Sequence, residues 1–348
     1  MFHTLAILQK IIPKEIETLH RRYKLLKAIQ LVQPVGRRLL ATKLKIGEKI
    51  VRADTDYFRE ENYVKVTSGG MILTDEGVEL LETLKDVMKE FEGIQEIELK
   101  LKKIIGCKNI IVVSGNTDVE PEAMSNIGRA AAKLLQSMVT NDSIIAITGG
   151  HTMRSVVEHI KPSNIEAKNA LIVPARGSLG NDVETQANTL VEAMAKKIGC
   201  NYKLLNLPDN LSEKVIESVS KDPNIKKIIK DIRKSNIIVF GIGNAKKMAY
   251  RRDLNKKVLN NLNDKKAVAE ALGYYFNREG KMVYDSKTIG FHLEEFEKNI
   301  HPIAVAGGES KALAILSVRK FIKNGSLIID EACAVKVLEL ANEFKYNN

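Results

Sequence analysis

Ser143-Ile144-Ile145-Ala146-Ile147-Thr148-Gly149-Gly150-His151-Thr152 decides the fold: an apolar run of strand length ends in paired glycines and passes straight into residues with helical spacing. The same order returns three times downstream. Ala170–Val173 leads into Pro174-Ala175-Arg176-Gly177-Ser178, Asn236–Phe240 into Gly241-Ile242-Gly243-Asn244-Ala245, and Ile303–Val305 into Ala306-Gly307-Gly308-Glu309-Ser310-Lys311. Strands joined through helices run parallel, so their carboxyl ends share one sheet edge, and ligands bind in the crevice there. Each loop also opens a helix, whose free N–H groups and positive dipole end favour an anion. With Arg176, Arg251, Arg252 and Lys311 in or just after these loops, the expected ligand is a phosphorylated small molecule.

Outward from these four units, Ile110–Val113, Tyr202–Leu205 and Leu327–Ile329 read as further strands. Helical spacing occupies Glu120–Met138, Met153–Ile160, Val183–Lys197, Ser310–Ile322 and Glu331–Phe344. Strands alternating with helices predict a doubly wound, Rossmann-like parallel sheet. Ala271–Gly290 differs: Gly273-Tyr274-Tyr275-Phe276-Asn277 precedes a turn at Arg278-Glu279-Gly280, which predicts a hairpin.

Towards the N-terminus the pattern changes. Lys14–Gln33 carries Ile16, Leu19, Tyr23, Leu26, Ala28, Ile29 and Val32 at helical spacing, and Pro34 and Gly36 end it. A short helix over Arg37–Leu44, a turn at Lys45-Ile46-Gly47 and a third helix over Glu48–Asn62 follow, with Ile50, Val51, Tyr57 and Phe58 expected to turn inwards. This is helix-turn-helix spacing, and Ser68-Gly69-Gly70 between two short β-type runs predicts the wing of a winged helix. The third helix is expected to expose Glu48, Lys49, Arg52, Ala53, Asp56 and Arg59, a basic, small-residue face suited to base edges, while Arg37, Arg38, Lys43 and Lys45 suit phosphates. Asp75–Glu92 then repeats Val78, Leu81, Leu84, Val87, Met88 and Phe91, a linker helix that either pairs with its copy in a dimer or packs on its own chain. The expected division is 1–74 for the winged helix, 75–106 for the linker helices and 107–348 for the α/β domain.

Charge follows this division. Residues 1–73 hold fourteen lysines and arginines against seven acidic residues, and residues 74–92 hold two against seven. A basic head before an acidic helix suits nucleic acid better than a uniformly basic surface, although a trihelical head also serves in protein–protein contacts. No apolar run reaches the ~20 residues of a membrane span. Met1–Pro13 has no small-residue cleavage site and is expected to pack on the following helix. The three cysteines are far apart, which predicts buried thiols in a reducing cytoplasm and no metal site.

Catalytic signatures are weak. There is no GxxxxGK[ST], no HExxH and no GxSxG, and Gly241-Ile242-Gly243 lacks the third glycine of a dinucleotide loop. Asp182, Glu184 and Glu270 are candidate bases, but lone carboxylates more often serve as surface or hydrogen-bonding groups. His151 stands inside the first loop and is a phosphate contact, a base or an exposed loop histidine; His159, His292 and His301 read as structural.

The strings Thr148-Gly149-Gly150-His151-Thr152, Val173–Gly180, Gln186-Ala187-Asn188, Gly241–Ala245, Met248-Ala249-Tyr250-Arg251-Arg252 and Ala304–Ala312, behind a winged-helix head, resemble the SorC/DeoR-type sugar-responsive transcriptional regulators over nearly the whole chain. The resemblance implies an effector domain of sugar-phosphate isomerase and deaminase type, fructose 1,6-bisphosphate as inducer, and repression of central glycolytic genes. Carried over by motif, Gly149, Gly150, His151 and Thr152 meet one phosphate with Lys311, while Arg176, Gln186, Arg251 and Glu270 hold the other phosphate and the sugar hydroxyls. His151 departs from the threonine usual in the family. A ring nitrogen still donates to phosphate, but binding becomes more pH-sensitive.

The expectation is therefore a cytoplasmic repressor, without catalytic residues, cofactor or metal. It binds operator DNA as a dimer or dimer of dimers through Arg37, Arg38, Lys49, Arg52 and Asp56, and is released or remodelled by a phosphorylated sugar. The competing readings are a sugar-phosphate isomerase or deaminase on the same scaffold, which would not need the head, and a sibling regulator sensing another sugar phosphate.

Overall fold

The computed structural model describes residues 11–91, 93–162, 167–179, 182–209, 211–294 and 300–346. The expected packing of Met1–Pro13 falls, as far as residue 10, outside the described residues. Contacts divide the chain once, into Met1–Gln95 and Glu96–Asn348, where the sequence was divided after 74 and after 106.

In the first unit, α1 (Pro13–Val32) opens on a proline whose missing N–H is no loss in a first helical turn, and it buries Leu25, Leu26, Ala28 and Ile29. The second helix, α2 (Arg37–Leu44), ends on Lys45 in a left-handed conformation, and Gly47 leads into α3 (Glu48–Glu60). The hairpin follows: β1 (Val64–Thr67) pairs antiparallel with β2 (Gly70–Leu73), with Val64 opposite Leu73 and Thr67 opposite Gly70. Gly70 has φ +134°, and a Cβ there would lie 2.7 Å from the Val35 nitrogen, so only glycine lets the wing lie against the α1–α2 connection. The helix α4 (Asp75–Phe91) adds Leu81 to a core of Leu25, Leu26, Ile29, Leu40, Val51, Phe58 and Met71.

Two inward expectations fail. Ile50 is 44% and Tyr57 37% exposed, because α3 buries Val51, Asp54, Thr55 and Phe58, the three- and four-residue spacing of one face, and positions 50 and 57 fall together on its flank. Asp54 takes a place in that buried face by accepting from Arg21 Nε at 2.7 Å and Arg22 Nε at 2.9 Å. Arg22 also stacks 3.8 Å over the Tyr57 ring, a cation–π contact that accounts for the outward tyrosine.

The second unit begins on α5 (Ile94–Ile105) and continues through β3 (Asn109–Val113), α6 (Pro121–Met138), β4 (Ile144–Ile147), α7 (His151–Glu158), β5 (Leu171–Pro174), α8 (Ala187–Ile198) and β6 (Asn201–Tyr202). Next come α9 (Glu213–Val219), α10 (Pro223–Arg233), β7 (Ile237–Gly241), β8 (Gly243–Asn244), α11 (Ala245–Arg251), α12 (Lys256–Asp264), β9 (Ala267–Ala271), β10 (Tyr274–Asn277) and β11 (Met282–Asp285). The unit closes with β12 (His301–Val305), α13 (Ala312–Ile322), β13 (Ser326–Asp330) and α14 (Glu331–Tyr346).

Seven parallel strands form the main sheet in the order β3-β13-β12-β7-β4-β5-β6. The chain runs outward from β4 to β6, returns to β7 on the other side of β4, and continues to β12 and β13. The direction reverses between β4 and β7, the topological switch point where an open α/β sheet leaves its crevice. Alternate residues such as Ile145, Ile147, Val239, Ile303 and Val305 bury against α6, α7 and α8, and the intervening Ala146, Ile238, Phe240 and Ala304 are buried on the opposite face.

Three sequence expectations change. The strand expected over Tyr202–Leu205 is the two-residue β6, and the helix expected over Val183–Lys197 is a 3-10 turn (Val183–Thr185) followed by α8, which starts at Ala187. The hairpin expected near Arg278 is present as β10–β11, but it belongs to a four-stranded antiparallel sheet, β11-β10-β9-β8, that the alternation of strands and helices did not signal.

Candidate functional site

A cavity of ≈ 230 Å³ opens at the switch point. Gly149, Gly150, His151 and Thr152 line it from the end of β4, Arg176 from the end of β5, and Gln186 from the turn before α8. Arg251 reaches it from α11, Glu270 from β9 and Lys311 from the loop after β12, so every residue expected to meet the effector lines this one cavity.

The first loop is held from both sides. Thr148 donates its N–H to Val239 at 3.1 Å and Gly150 to Thr185 at 2.8 Å, so the Gly150 donor is already engaged. The orphan donors of a first helical turn then belong to His151, Thr152 and Met153. A Cβ on Gly149 would come 2.5 Å from the Thr185 oxygen, which ties the glycine to close passage of the 183–186 segment. Arg251 Nη1 lies 3.9 Å from where a Gly150 Cβ would stand, and Nη2 is 3.4 Å from Thr185 Oγ1. Its guanidinium therefore accompanies the first loop, whereas the family motif grouped it with Arg176.

Lys311 approaches from across the cavity. Burial, and then the neighbouring Lys247, hold its ammonium below the ordinary lysine range, against the pull of Asp118 and Glu270. A poorly solvated cation gains more than a surface lysine from an incoming anion. The loop carrying it is fixed by Asp330, which is fully buried and accepts from the backbone of Thr117, Gly308 and Cys333.

Between these cations lies a charge-balanced quartet. Arg176 Nη2 donates to Asp209 Oδ2 at 2.8 Å and Nη1 approaches Glu270 Oε1 at 3.5 Å. Arg252 donates to the same Asp209 oxygen and, at 2.9 Å, to Glu270 Oε1, which also accepts from Gly273 N–H at 2.6 Å. All four side chains are at least nine-tenths buried, and two guanidinium groups neutralise two carboxylates. Gln186 is also occupied: its amide bridges both backbone groups of Leu179, at 3.0 and 2.9 Å.

Sequence reasoning missed Asp209 and left Arg252 outside the site. Asp209 sits in the irregular segment beyond β6, where Leu207-Pro208-Asp209 has none of the glycines that marked the other loops. Its N–H donates to Ser178 O at 2.8 Å, which fixes it beside Arg176.

The candidate bases have other duties. Asp182 caps the turn before α8, accepting from Glu184 N and Thr185 Oγ1, and Glu184 pairs with Arg154. His159 bonds Ser125 Oγ and Ser155 O, His301 bonds Ser326 Oγ and His292 meets the Tyr274 hydroxyl. His151 is exposed at the first position of α7.

In the head, Arg37, Arg38, Glu48 and Arg52 line a depression that Val66 and Gly70 of the hairpin close. Arg37 Nε donates to Thr55 Oγ1 at 3.0 Å and Nη2 to Asp56 Oδ1 at 2.6 Å, and Arg59 reaches Asp56 at 3.5 Å. Asp56 thus holds two guanidinium groups, while Lys49 and Arg52 stand exposed on the outer face of α3 and Arg38 makes a loose 3.8 Å pair with Glu48.

Residues 89–339 match the sugar-binding domain family, and residues 18–88 match the CggR N-terminal DNA binding domain. The chain is 38% identical to the central glycolytic genes regulator of Bacillus subtilis (strain 168), over 95% of this chain and 97% of that one. It is 37% identical to the protein of the same name from Priestia megaterium, over 96% and 98%. Among solved structures, a SorC family transcriptional regulator from Enterococcus faecalis aligns with TM-score 0.66 at 36% identity, covering 70% of this chain and 99% of that one. The full-length sorbitol operon regulator of Klebsiella pneumoniae aligns with TM-score 0.64 at 19% identity, over 92% and 99%, and shares the fold.

Proposed function

This chain belongs to the sugar-binding-domain family of transcriptional regulators, and from that premise we propose that it represses central glycolytic genes and is released from, or remodelled on, its operator by fructose 1,6-bisphosphate. The DNA-binding and sugar-binding domains make it a sugar-responsive regulator, not an isomerase or deaminase. The finer assignment rests on one observation: the residues expected to meet the effector, drawn from separate loops, converge on a single cavity at the switch point. One phosphate meets the α7 N-terminus, where His151 and Thr152 donate and Arg251 and Lys311 supply charge; Glu270 accepts from sugar hydroxyls. Arg37, Arg38, Lys49 and Arg52 face operator DNA, and Asp56 acts by holding Arg37. A dimer, or two on one operator, matches a two-fold site.

The effector acts only if it binds the two operator-affinity states differently. The test is a thermal-shift series against sugar phosphates, repeated with operator DNA. Fructose 1,6-bisphosphate is expected to raise the transition and weaken operator binding. A shift with a monophosphate alone would replace the named effector, and His151 is the residue that favours this second reading. Turnover of any sugar phosphate would return the protein to the enzymes.

A further inference from the structure

Along α10 and its C-cap, Lys226, Lys227, Lys230, Arg233 and Lys234 are all exposed. The four isoleucines of the helix are buried or half-buried, with Ile229 and Ile232 innermost, so the five cations share the opposite face. Nearby carboxylates are used elsewhere. Asp222 caps the helix by accepting from the N–H groups of Asn224 and Ile225, and Asp231 pairs with Lys203. Among the described residues, none of the five cations has a carboxylate partner. Lys230 is the centre of the cluster, with Lys226, Lys227, Arg233 and Lys234 three or four positions away, the spacing at which like charges on a helix repel. The helix dipole favours cations in the last turn, but its effect has faded before Lys226 and Lys227.

Five uncompensated charges therefore lie within about 12 Å of helix. A partner protein would be gripped through apolar and aromatic anchors, and this face exposes none. The phosphate backbone of duplex DNA needs no such anchor and presents a negative charge about every 1.7 Å along its axis. A DNA-binding domain already occupies residues 18–88 of the same chain. We propose that this face of α10 is a second DNA-contacting surface, which takes duplex phosphates without reading sequence. It adds to affinity and salt dependence and leaves the choice of operator to the head.

The experiment titrates full-length protein with a mixed-sequence duplex of about 60 base pairs over about 50–200 mM salt. One variant combines Lys226→Gln, Lys230→Gln and Lys234→Gln; a control removes the same charge through Lys256→Gln, Lys257→Gln and Lys266→Gln on and just after α12. The α10 variant is expected to lose about two to three units of salt slope, near 0.9 for each lost phosphate contact, while the control keeps the wild-type slope. Thermal unfolding without DNA should occur no lower in the α10 variant, since repulsion around Lys230 is relieved. A wild-type slope in the folded α10 variant would overturn the proposal. Equal losses in both variants would also overturn it, because net charge and not this face would then govern binding. An unchanged DNA slope with lost binding to poly-glutamate would give the face to an acidic protein instead.

Discussion

Arg37 Nη2 donates to Asp56 Oδ1 at 2.6 Å, tying the first residue of α2 to the outer face of α3. The pair gives Asp56 two opposed effects on DNA binding: its charge repels phosphates, and its oxygen fixes a guanidinium that attracts them. Asp56→Ala should therefore weaken or leave unchanged operator binding in the wild type, but be more favourable to it in an Arg37→Ala background, where Asp56 holds only Arg59, at 3.5 Å. Arg37→Ala itself should reduce the salt slope of binding by about one unit. Anisotropy titrations over a salt series decide this, and an identical effect of Asp56→Ala in both backgrounds would remove the coupling.

Arg52 stands exposed on the same helix, free to reach a base edge. Arg52→Ala is expected to cost about 1–3 kcal/mol of operator binding and to relax specificity at one position. The effector-induced thermal shift should be intact, since Arg52 and the cavity lie in different compact units. Loss of both responses in one variant would contradict separate DNA-binding and effector functions.

Lys311 carries a cost in the ligand-free protein. A lysine whose folded pKa lies below its unfolded value disfavours the folded state while it is charged, and stability rises as pH climbs from the folded value to the unfolded one. Lys311→Met should then raise the melting temperature without ligand at neutral pH and abolish most of the ligand-induced rise. Calorimetry with and without the sugar phosphate checks both halves. A variant that melts lower and still binds would mean that Lys311 serves structure and not the anion.

Asp54 is the buried anchor of α1 on α3. Burial alone would push its carboxyl up, but hydrogen bonds from Arg21 and Arg22 outweigh that and hold it below the usual range. Its contribution is present above the unfolded value of about 3.9 and is lost as pH falls through the lower folded value. Asp54→Ala should destabilise the head by about 1–3 kcal/mol, discounted from a fully buried pair because both arginines are about a third exposed. Hydrogen exchange of the α1 amides in full-length protein should speed accordingly at pH 7 and differ less from wild type near pH 3. A constant difference across that range would separate the loss from ionisation.

Much of the architecture was legible because its signals are local. The run from Ser143 to Thr152 specifies a strand, a tight turn and a helix through side chains only a few residues apart, and β7 and β12 with their loops follow in the same way. The inward faces of α3 were half legible: Val51 and Phe58 were placed correctly, but Ile50 and Tyr57 were not. Hydrophobicity alone cannot tell the centre of a stripe from its flank when Asp54 is buried by two arginines from another helix. The antiparallel sheet was missed because β8 has two residues and its partner β9 reads Ala267-Val268-Ala269-Glu270-Ala271, with too little alternation to mark a strand.

Sequence by itself determined that this chain carries a winged-helix head and a parallel α/β domain whose glycine loops meet at one edge, since strand, turn and helix propensities act within a few residues and repeat along the chain. Tertiary structure alone decided how the charges at that edge are shared. Asp209 lies 33 residues from Arg176 and 43 from Arg252, and no spacing rule links them. The return of the chain from β6 to β7 brings them together, and in the low dielectric of that contact each guanidinium takes the carboxylate the fold places beside it.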